Sequence, residues 1–423
     1  MRSLSKPAIL NEITGRGHGS DVKFWLLLSI PIINVAASLT IEQISLGTIN
    51  SGMIRAVVLL IIYAYFFRPG IPINRVLKPF YYLLLALLLP TLLSSDPYFS
   101  LYVYLKFLLA TILFIAAYII VKERDQLISL LKTLTFVLYV KVSYVVLSNL
   151  YGFGSSDYID GTFYFGEAGV NITKDMIVLV FIVSVLLVNS SSRMIKILLM
   201  LLILVASIII VIGLKRSAIL SLFVGVFLYF IFKKNKGRLL YFISVSLVGF
   251  FLVSPLYMEI LLVRYEARQE KVAVSYTQLD EDEGRIKEYQ IVTDRFLSKN
   301  WFEKMFGSDP FLMKPDYFGI KRMIHIDYLS LLDGGGIIGL FLYLWGYWVI
   351  LLFLLFLPGK ITMNDFHYEL RAIGLALIGI QMIMGIAGTI TGIDHRALSL
   401  LFLGAICGVL SKEVIIQKAM NKT

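Results

Sequence analysis

Charged residues and cysteines are both scarce in this sequence. Asp, Glu, Lys and Arg make up 16% of the 423 residues, against about a quarter in an average soluble protein. The single cysteine, Cys407, offers no disulfide framework, so cysteine usage does not indicate a redox compartment. Apolar residues make up 58% of the chain and the mean hydropathy is +0.82, which excludes an ordinary soluble globular protein.

The apolar residues fall into continuous windows, long enough to cross a hydrocarbon layer about 30 Å thick. Continuous rather than alternating apolarity predicts helices, because a spanning helix satisfies its own backbone hydrogen bonds. We predict an all-α polytopic membrane helix bundle with about twelve transmembrane helices, which forms a single membrane domain over residues 1–423. The predicted spans are 23–39, 53–67, 79–95, 99–121, 126–150, 175–190, 194–213, 217–232, 239–256, 327–356, 370–390 and 396–412.

Basic residues in the short loops and termini predict the orientation of this bundle. Four lie on one side, namely Lys174, Lys215, Arg216 and Arg396. Twenty lie on the other side: Arg2, Lys6, Arg16, Lys23, Arg68, Arg75, Lys78, Lys122, Arg124, Arg193, Lys196, Lys233, Lys234, Lys236, Arg238, Lys360, Arg371, Lys412, Lys418 and Lys422. An excess of Lys and Arg marks the cytoplasmic side, so both termini are predicted to be cytoplasmic. The net charge of +11 is therefore a topology signal that suits membrane lipid, and no nucleic-acid partner is implied.

Two longer connections are predicted on the external face. The smaller external loop covers 151–173, and a large, partly helical external loop covers 257–326 between spans nine and ten. Within the large loop, 284–297 carries apolar residues at helical spacing and predicts a helix that lies on the bundle or on the membrane surface. The acidic run 280–283 favours a helix N-terminus over a metal site, because its four consecutive side chains point in different directions. We therefore predict no metal site.

Several polar residues at the predicted external face are candidates for chemistry. Lys215 and Arg216 interrupt the apolar sequence between spans seven and eight, either as a pair that marks the interface or as a cradle for phosphate. His325 lies where the large loop meets span ten, beside basic and acidic neighbours. For His395 the sequence favours a tolerated interfacial histidine.

The order of these residues resembles a known family. An arginine stands at the external end of a span in 214–218, and Gly284-Arg285 with Tyr289 opens the helical part of the large loop. Phe306-Gly307, the stretch 325–332 that begins at His325, and a glycine-rich span entry at 334–340 follow. This arrangement is similar to the O-antigen polymerase and O-antigen ligase superfamily of bacterial envelope polysaccharide assembly. The similarity covers spans seven to ten most closely.

The resemblance implies a metal-independent glycosyltransferase of the bacterial inner membrane, with its active site on the external face and no cofactor. Its substrates would be undecaprenyl-pyrophosphate-linked glycans, and a chain-length regulator is a candidate protein partner. Arg216 and Arg285, with Lys215, would hold the donor pyrophosphate, and His325 would act at the acceptor hydroxyl. Arginine suits an anion because of its planar fork, and histidine suits a base near neutral pH. The glycine run would let the large loop dock tightly on the span, with helix–helix packing as the alternative explanation.

The smaller loop differs from the family's expected pattern, which would include further basic residues there. It offers Asp157, Asp160, Glu167 and Asn171 among aromatic residues. Such groups suit sugar hydroxyls and rings, so we predict glycan binding there, with an aromatic interface belt as the equal alternative.

The expected reaction is polymerisation of polysaccharide repeat units for O-antigen, capsule or exopolysaccharide. Transfer of the finished glycan to lipid A core by a ligase is the nearest alternative, because both reactions use the same donor. A lipid-linked oligosaccharide flippase belongs to another class and would be expected to show repeated halves, which this sequence lacks.

Overall fold

A computed structural model describes residues 18–40, 45–46, 49–67, 74–155, 163–234, 257–267, 284–308, 326–386 and 393–421, with five further residues between 235 and 256. The helices are α1 His18–Thr40, α2 Ser51–Phe67, α3 Lys78–Leu92, α4 Pro97–Ile120, α5 Arg124–Tyr151, α6 Ile172–Asn189, α7 Arg193–Ile212, α8 Arg216–Phe232, α9 Gly284–Ser298, α10 Trp301–Phe306, α11 Asp327–Leu355, α12 Asp365–Ile386 and α13 Ile393–Met420. Residues 257–267 are also helical. A two-residue hairpin pairs β1 Ser45–Leu46 with β2 Ile49–Asn50.

Eight of these helical regions are long and apolar enough to cross a membrane: Asp21–Leu39, Ser100–Ile120, Arg124–Tyr151, Gly169–Asn189, Arg193–Ile212, Asp327–Leu355, Asp365–Ile386 and Asp394–Met420. Three shorter apolar helices, Arg55–Phe67, Lys78–Leu92 and Arg216–Phe232, also coincide with predicted spans. The predicted span 239–256 falls almost entirely outside the described residues. The all-helical membrane class is therefore confirmed, whereas the count of twelve stays a prediction.

Local sequence signals explain where several helices begin and end. Glu123 and Gln126 form a capping box at the start of α5, in which each side chain binds a backbone N–H of the first turn. Gly152 ends α5 in the left-handed conformation, with φ of 65°, which glycine adopts without steric cost. The first turn of α3 contains Pro79, where a missing N–H costs no helical hydrogen bond.

Helix α13 lies in the centre of the bundle and packs most extensively on α4. A Cβ at Gly404 would lie 2.3 Å from the carbonyl oxygen of Phe114, and one at Gly408 would lie 2.4 Å from that of Val121. The spacing of these two glycines creates the small-residue face that allows close approach of membrane helices. Helix α7 is the opposite case, because Ile197, Leu198 and Leu201 are all at least half exposed, as expected for a helix that faces lipid.

Helices α9 and α10 dock on the first half of α11. Arg295 and Lys299 make ion pairs with Asp333 at 3.3 and 2.6 Å. Burial lowers the pKa of Lys299, and the Asp333 carboxylate opposes that shift. The amphipathic helix predicted over 284–297 is thus confirmed, and it lies on the helix bundle.

The glycine run near the start of α11 packs directly against the backbone at the end of α10. Gly336 has φ of 64° and breaks the helix, and a Cβ there would lie 2.4 Å from the Met305 carbonyl oxygen. A Cβ at Gly307 would lie 2.0 Å from the Gly334 carbonyl oxygen. The predicted tight docking at this run is therefore confirmed.

Candidate functional site

A pocket of about 240 Å³ opens at the end of the bundle where α5, α6 and α13 meet. We call this the pocket end of the molecule. Six of its lining residues are ionisable, and all of these except Glu167 belong to helices that are otherwise strongly apolar. The lining residues are Ser38, Lys141, Glu167, Ala168, Asn171, Ile172, Lys174, Asp175, Asp394 and His395.

One side of the pocket is acidic and is built around Lys141. The Lys141 Nζ atom donates to Asp175 Oδ2 at 2.8 Å, and both residues are buried. Asp394 lies within electrostatic range of both members of this pair. Its own carboxylate also faces Arg55, at 3.8 Å. Asp175 therefore binds the Lys141 ammonium directly, and Asp394 adds a second carboxylate to this side.

The other side of the pocket is basic and surrounds His395. This imidazole is only 5% exposed. Lys174, Lys215 and Arg396 all lie within electrostatic range of it. Lys174 is buried as well, and it also acts on Asp175 and Asp327. The pocket thus has two sides of opposite character, with Lys174 between them.

A second buried ion pair adjoins the basic side. Arg396 donates through Nη2 to Asp327 Oδ2, which joins the start of α13 to the start of α11. The other carboxylate oxygen, Asp327 Oδ1, is buried and has no hydrogen-bond partner among the described residues. Tyr343 and Tyr347 lie within electrostatic range of Arg396. Such an isolated oxygen is costly to bury and marks a place where a water or ligand atom would be stabilised.

The turn between α7 and α8 brings Lys215 to the pocket rim. Leu214 adopts the left-handed conformation with φ of 48°, which is uncommon for a residue other than glycine. A Cβ at Gly213 would meet the Thr173 side chain at 2.9 Å, so the turn lies directly against the start of α6. From there the Lys215 Nζ atom donates to Asn171 Oδ1 at 2.5 Å.

The described part of the smaller loop is held to the bundle by specific hydrogen bonds. Ser148 Oγ and Asn149 Nδ2 both donate to the Tyr164 carbonyl oxygen, at 2.8 and 2.7 Å. Arg264 is fully buried and donates to the Phe163 and Ile212 carbonyl oxygens, each at 3.1 Å. These contacts fix the chain that carries Glu167 and Asn171 into the pocket lining.

The predicted site residues are only partly brought together. Lys215, Glu167 and Asn171 meet at the pocket. Arg216 begins α8 one residue from Lys215 and is exposed. Arg285 lies in the first turn of α9, where only its backbone is described. His325, Asp157, Asp160 and the acidic run 280–283 lie outside the described residues.

One interpretation made from the sequence is wrong. His395 is not merely a tolerated interfacial histidine, since it is buried and lines the pocket. Its neighbour Arg396 is also buried, with its side chain against Asp327. A signal for both was available, because an Asp-His-Arg sequence at the start of an apolar helix needs partners for its charges.

The chemistry of the pocket is that of hydrogen bonding to a polar, partly anionic molecule. Carboxylates accept hydrogen bonds from hydroxyl groups, ammonium groups donate to anions, and a neutral imidazole can do either. Across the described part of the chain, no group of three His, Cys, Asp or Glu side chains is placed to hold a metal ion.

Comparison of the chain with models of known protein families gives no match, and comparison with curated proteins finds no similar sequence.

Proposed function

We propose that this protein is a polysaccharide repeat-unit polymerase of the bacterial inner membrane, which acts on O-antigen, capsule or exopolysaccharide. It takes a glycan from undecaprenyl pyrophosphate and transfers it to the terminal sugar of another lipid-linked unit. The proposal comes from the sequence resemblance. The observation that supports it best is a pocket of buried charged groups at one end of an apolar bundle, beside Lys215.

Burial of these groups argues for a function rather than for stability. Lys141, Lys174, Asp175 and His395 are all more than nine-tenths buried. Transfer of a charged side chain from water into such surroundings costs several kcal/mol even after relaxation, and apolar residues would pack the same space at lower cost. Ionisable residues inside membrane proteins accordingly cluster where substrates or ions act.

The proposed topology has twelve spans, both termini in the cytoplasm and the pocket end outside. The distribution of short-loop lysines and arginines supports this orientation. Helix α13 runs from His395 at the pocket end to Glu413, a distance of about 27 Å at 1.5 Å per residue, which suits one crossing of the bilayer. An external pocket would be open to lipid-linked glycans after they have crossed the membrane.

The proposed reaction needs two kinds of group. The acceptor hydroxyl attacks the anomeric carbon of the donor sugar, and a new glycosidic C–O bond forms there. The bond from that carbon to the pyrophosphate oxygen breaks, and undecaprenyl pyrophosphate leaves with the electron pair while a base takes the hydroxyl proton. Lys215, Arg216 and Arg285 would stabilise the leaving charge, and His325 would be the base.

Purified full-length protein in detergent, supplied only with lipid-linked repeat units, tests the proposal. A ladder of longer glycans is expected, and gel electrophoresis of the released glycans would measure it. Addition of lipid A core tests the ligase reaction in the same preparation. A flippase makes no product in detergent, so folded protein that yields neither ladder nor lipid A conjugate would contradict the enzymatic proposal.

A further inference from the structure

The two sides of the pocket differ in the charges that surround them. On the acidic side, Asp175 and Asp394 both act on Lys141. On the basic side, three cations act on His395, namely Lys174, Lys215 and Arg396, and of these Arg396 is paired with Asp327. A molecule that fits both sides therefore needs hydrogen-bond donors at one end and negative charge at the other.

We propose that this pocket binds one sugar residue together with an anionic group attached to it. The ring hydroxyls lie against Asp175 and Asp394, and the anion lies beside Lys174, Lys215 and His395. The inference rests on the proposed function for the chemical class of the ligand, and it assigns Lys174, Asp394 and His395 to substrate binding.

The volume of the pocket favours a single ring. Sites for drug-sized ligands enclose roughly 300–1,000 Å³, whereas this pocket has about 240 Å³. A longer glycan would then extend from the pocket past the smaller loop, where Glu167 and Asn171 lie at the rim.

The ion pair at the bottom of the pocket gives it a fixed shape. Lys141 and Asp175 come from α5 and α6 and are joined at 2.8 Å. The Lys141 hydrogen bond orients the Asp175 carboxylate and its remaining lone pairs, and Asp394 lies within electrostatic range of this pair and faces Arg55. Fixed acceptors of this kind discriminate between sugars, because a hydroxyl in the wrong position leaves a buried carboxylate oxygen unpaired.

The test measures binding of small probes to the full-length protein in detergent. The probes are inorganic phosphate, free glucose, free glucuronic acid, and the 1-phosphates of glucose, galactose, mannose, N-acetylglucosamine and glucuronic acid. At least one sugar 1-phosphate should bind about tenfold or more tightly than phosphate or glucose, as expected for added charge-assisted hydrogen bonds. If free glucuronic acid binds as tightly as the best sugar 1-phosphate, the anion that the pocket recognises is a carboxylate on the sugar rather than a linking phosphate. The proposal still holds in that case.

Variants separate the two sides of the pocket. Asp394→Asn should reduce the preference for the sugar 1-phosphate over inorganic phosphate. Lys174→Met should instead weaken the binding of both probes by about tenfold. Glu369→Gln is the control, because Glu369 is a carboxylate in an ion pair at the opposite end of the bundle, away from this pocket, and it should bind the probes as the parent does.

Two outcomes would overturn this assignment: phosphate alone binding as tightly as every sugar phosphate, or equal losses in Asp394→Asn and Glu369→Gln. Binding of the probes does not depend on catalysis. A protein that binds them but makes no glycan ladder would contradict the polymerase proposal alone. A protein that makes the ladder but does not bind a sugar 1-phosphate more tightly than inorganic phosphate would contradict the pocket assignment alone.

Discussion

The two ends of the bundle both contain buried ionisable groups, but they arrange them differently. At the far end, the Lys233 Nζ atom lies 2.5 Å from the Tyr229 hydroxyl and 3.4 Å from the Glu369 carboxylate. His367 and Glu413 form another pair there, at 2.5 Å. At the pocket end, two ion pairs adjoin further buried charges that surround an open volume.

This difference shows which feature points to function. A buried ion pair alone is weak evidence, because its Coulomb energy roughly balances the cost of desolvation. Open volume alone is weak evidence too, since the far end has a larger pocket of about 440 Å³ whose lining contains one charged residue, Lys360. At the pocket end, a pocket and buried charges beyond simple pairs occur together.

The largest effect on stability is expected from substitution of Asp327 at the pocket end. Asp327→Asn leaves the Arg396 guanidinium buried without its countercharge, which should destabilise the protein by about 3–5 kcal/mol. Thermal unfolding in detergent, followed by circular dichroism, would measure this. Asp365→Asn is the control, because its pair with Lys234 is exposed and should contribute nothing measurable. Equal melting temperatures for both variants would contradict the assignment of Asp327 as the buried countercharge.

Helices whose bounds are determined by local forces could be predicted from the sequence. The span predicted at 327–356 is observed as Asp327–Leu355, and that at 194–213 as Arg193–Ile212. A continuous apolar run and its polar ends are sufficient to define such a helix. The helix Gly284–Ser298 follows from apolar spacing in the same way.

A smaller effect is expected where α10 docks on α11. Gly336→Ala places a Cβ 2.4 Å from the Met305 carbonyl oxygen at φ of 64°, which should cost roughly 1–3 kcal/mol. Gly359→Ala, near the other end of α11, meets no atom within 4 Å and should shift the unfolding free energy by no more than ~0.5 kcal/mol. If the two variants unfold alike, the backbone contact does not hold α10 in place.

Ion pairs between residues from distant parts of the chain could not be predicted from the sequence. Lys141 and Asp175 are separated by 34 positions, and Asp327 and Arg396 by 69. No pattern in the sequence predicts such pairings. Arg264 illustrates the same limit, because it lies in the predicted large external loop yet is completely buried.

Two lysines with matched burial provide the most direct test of whether the pocket end carries the chemistry. Lys174 at the pocket end is 7% exposed and Lys233 at the far end is 8% exposed, so substitution by methionine should perturb folding similarly. Glycan extension would be measured per amount of folded protein for Lys174→Met and Lys233→Met. We predict at least a tenfold lower rate for Lys174→Met, as expected for a lost charge-assisted contact of about 1.5–3 kcal/mol, and a rate near that of the parent for Lys233→Met. Equal rates in the two variants would contradict the claim that the pocket end carries the chemistry.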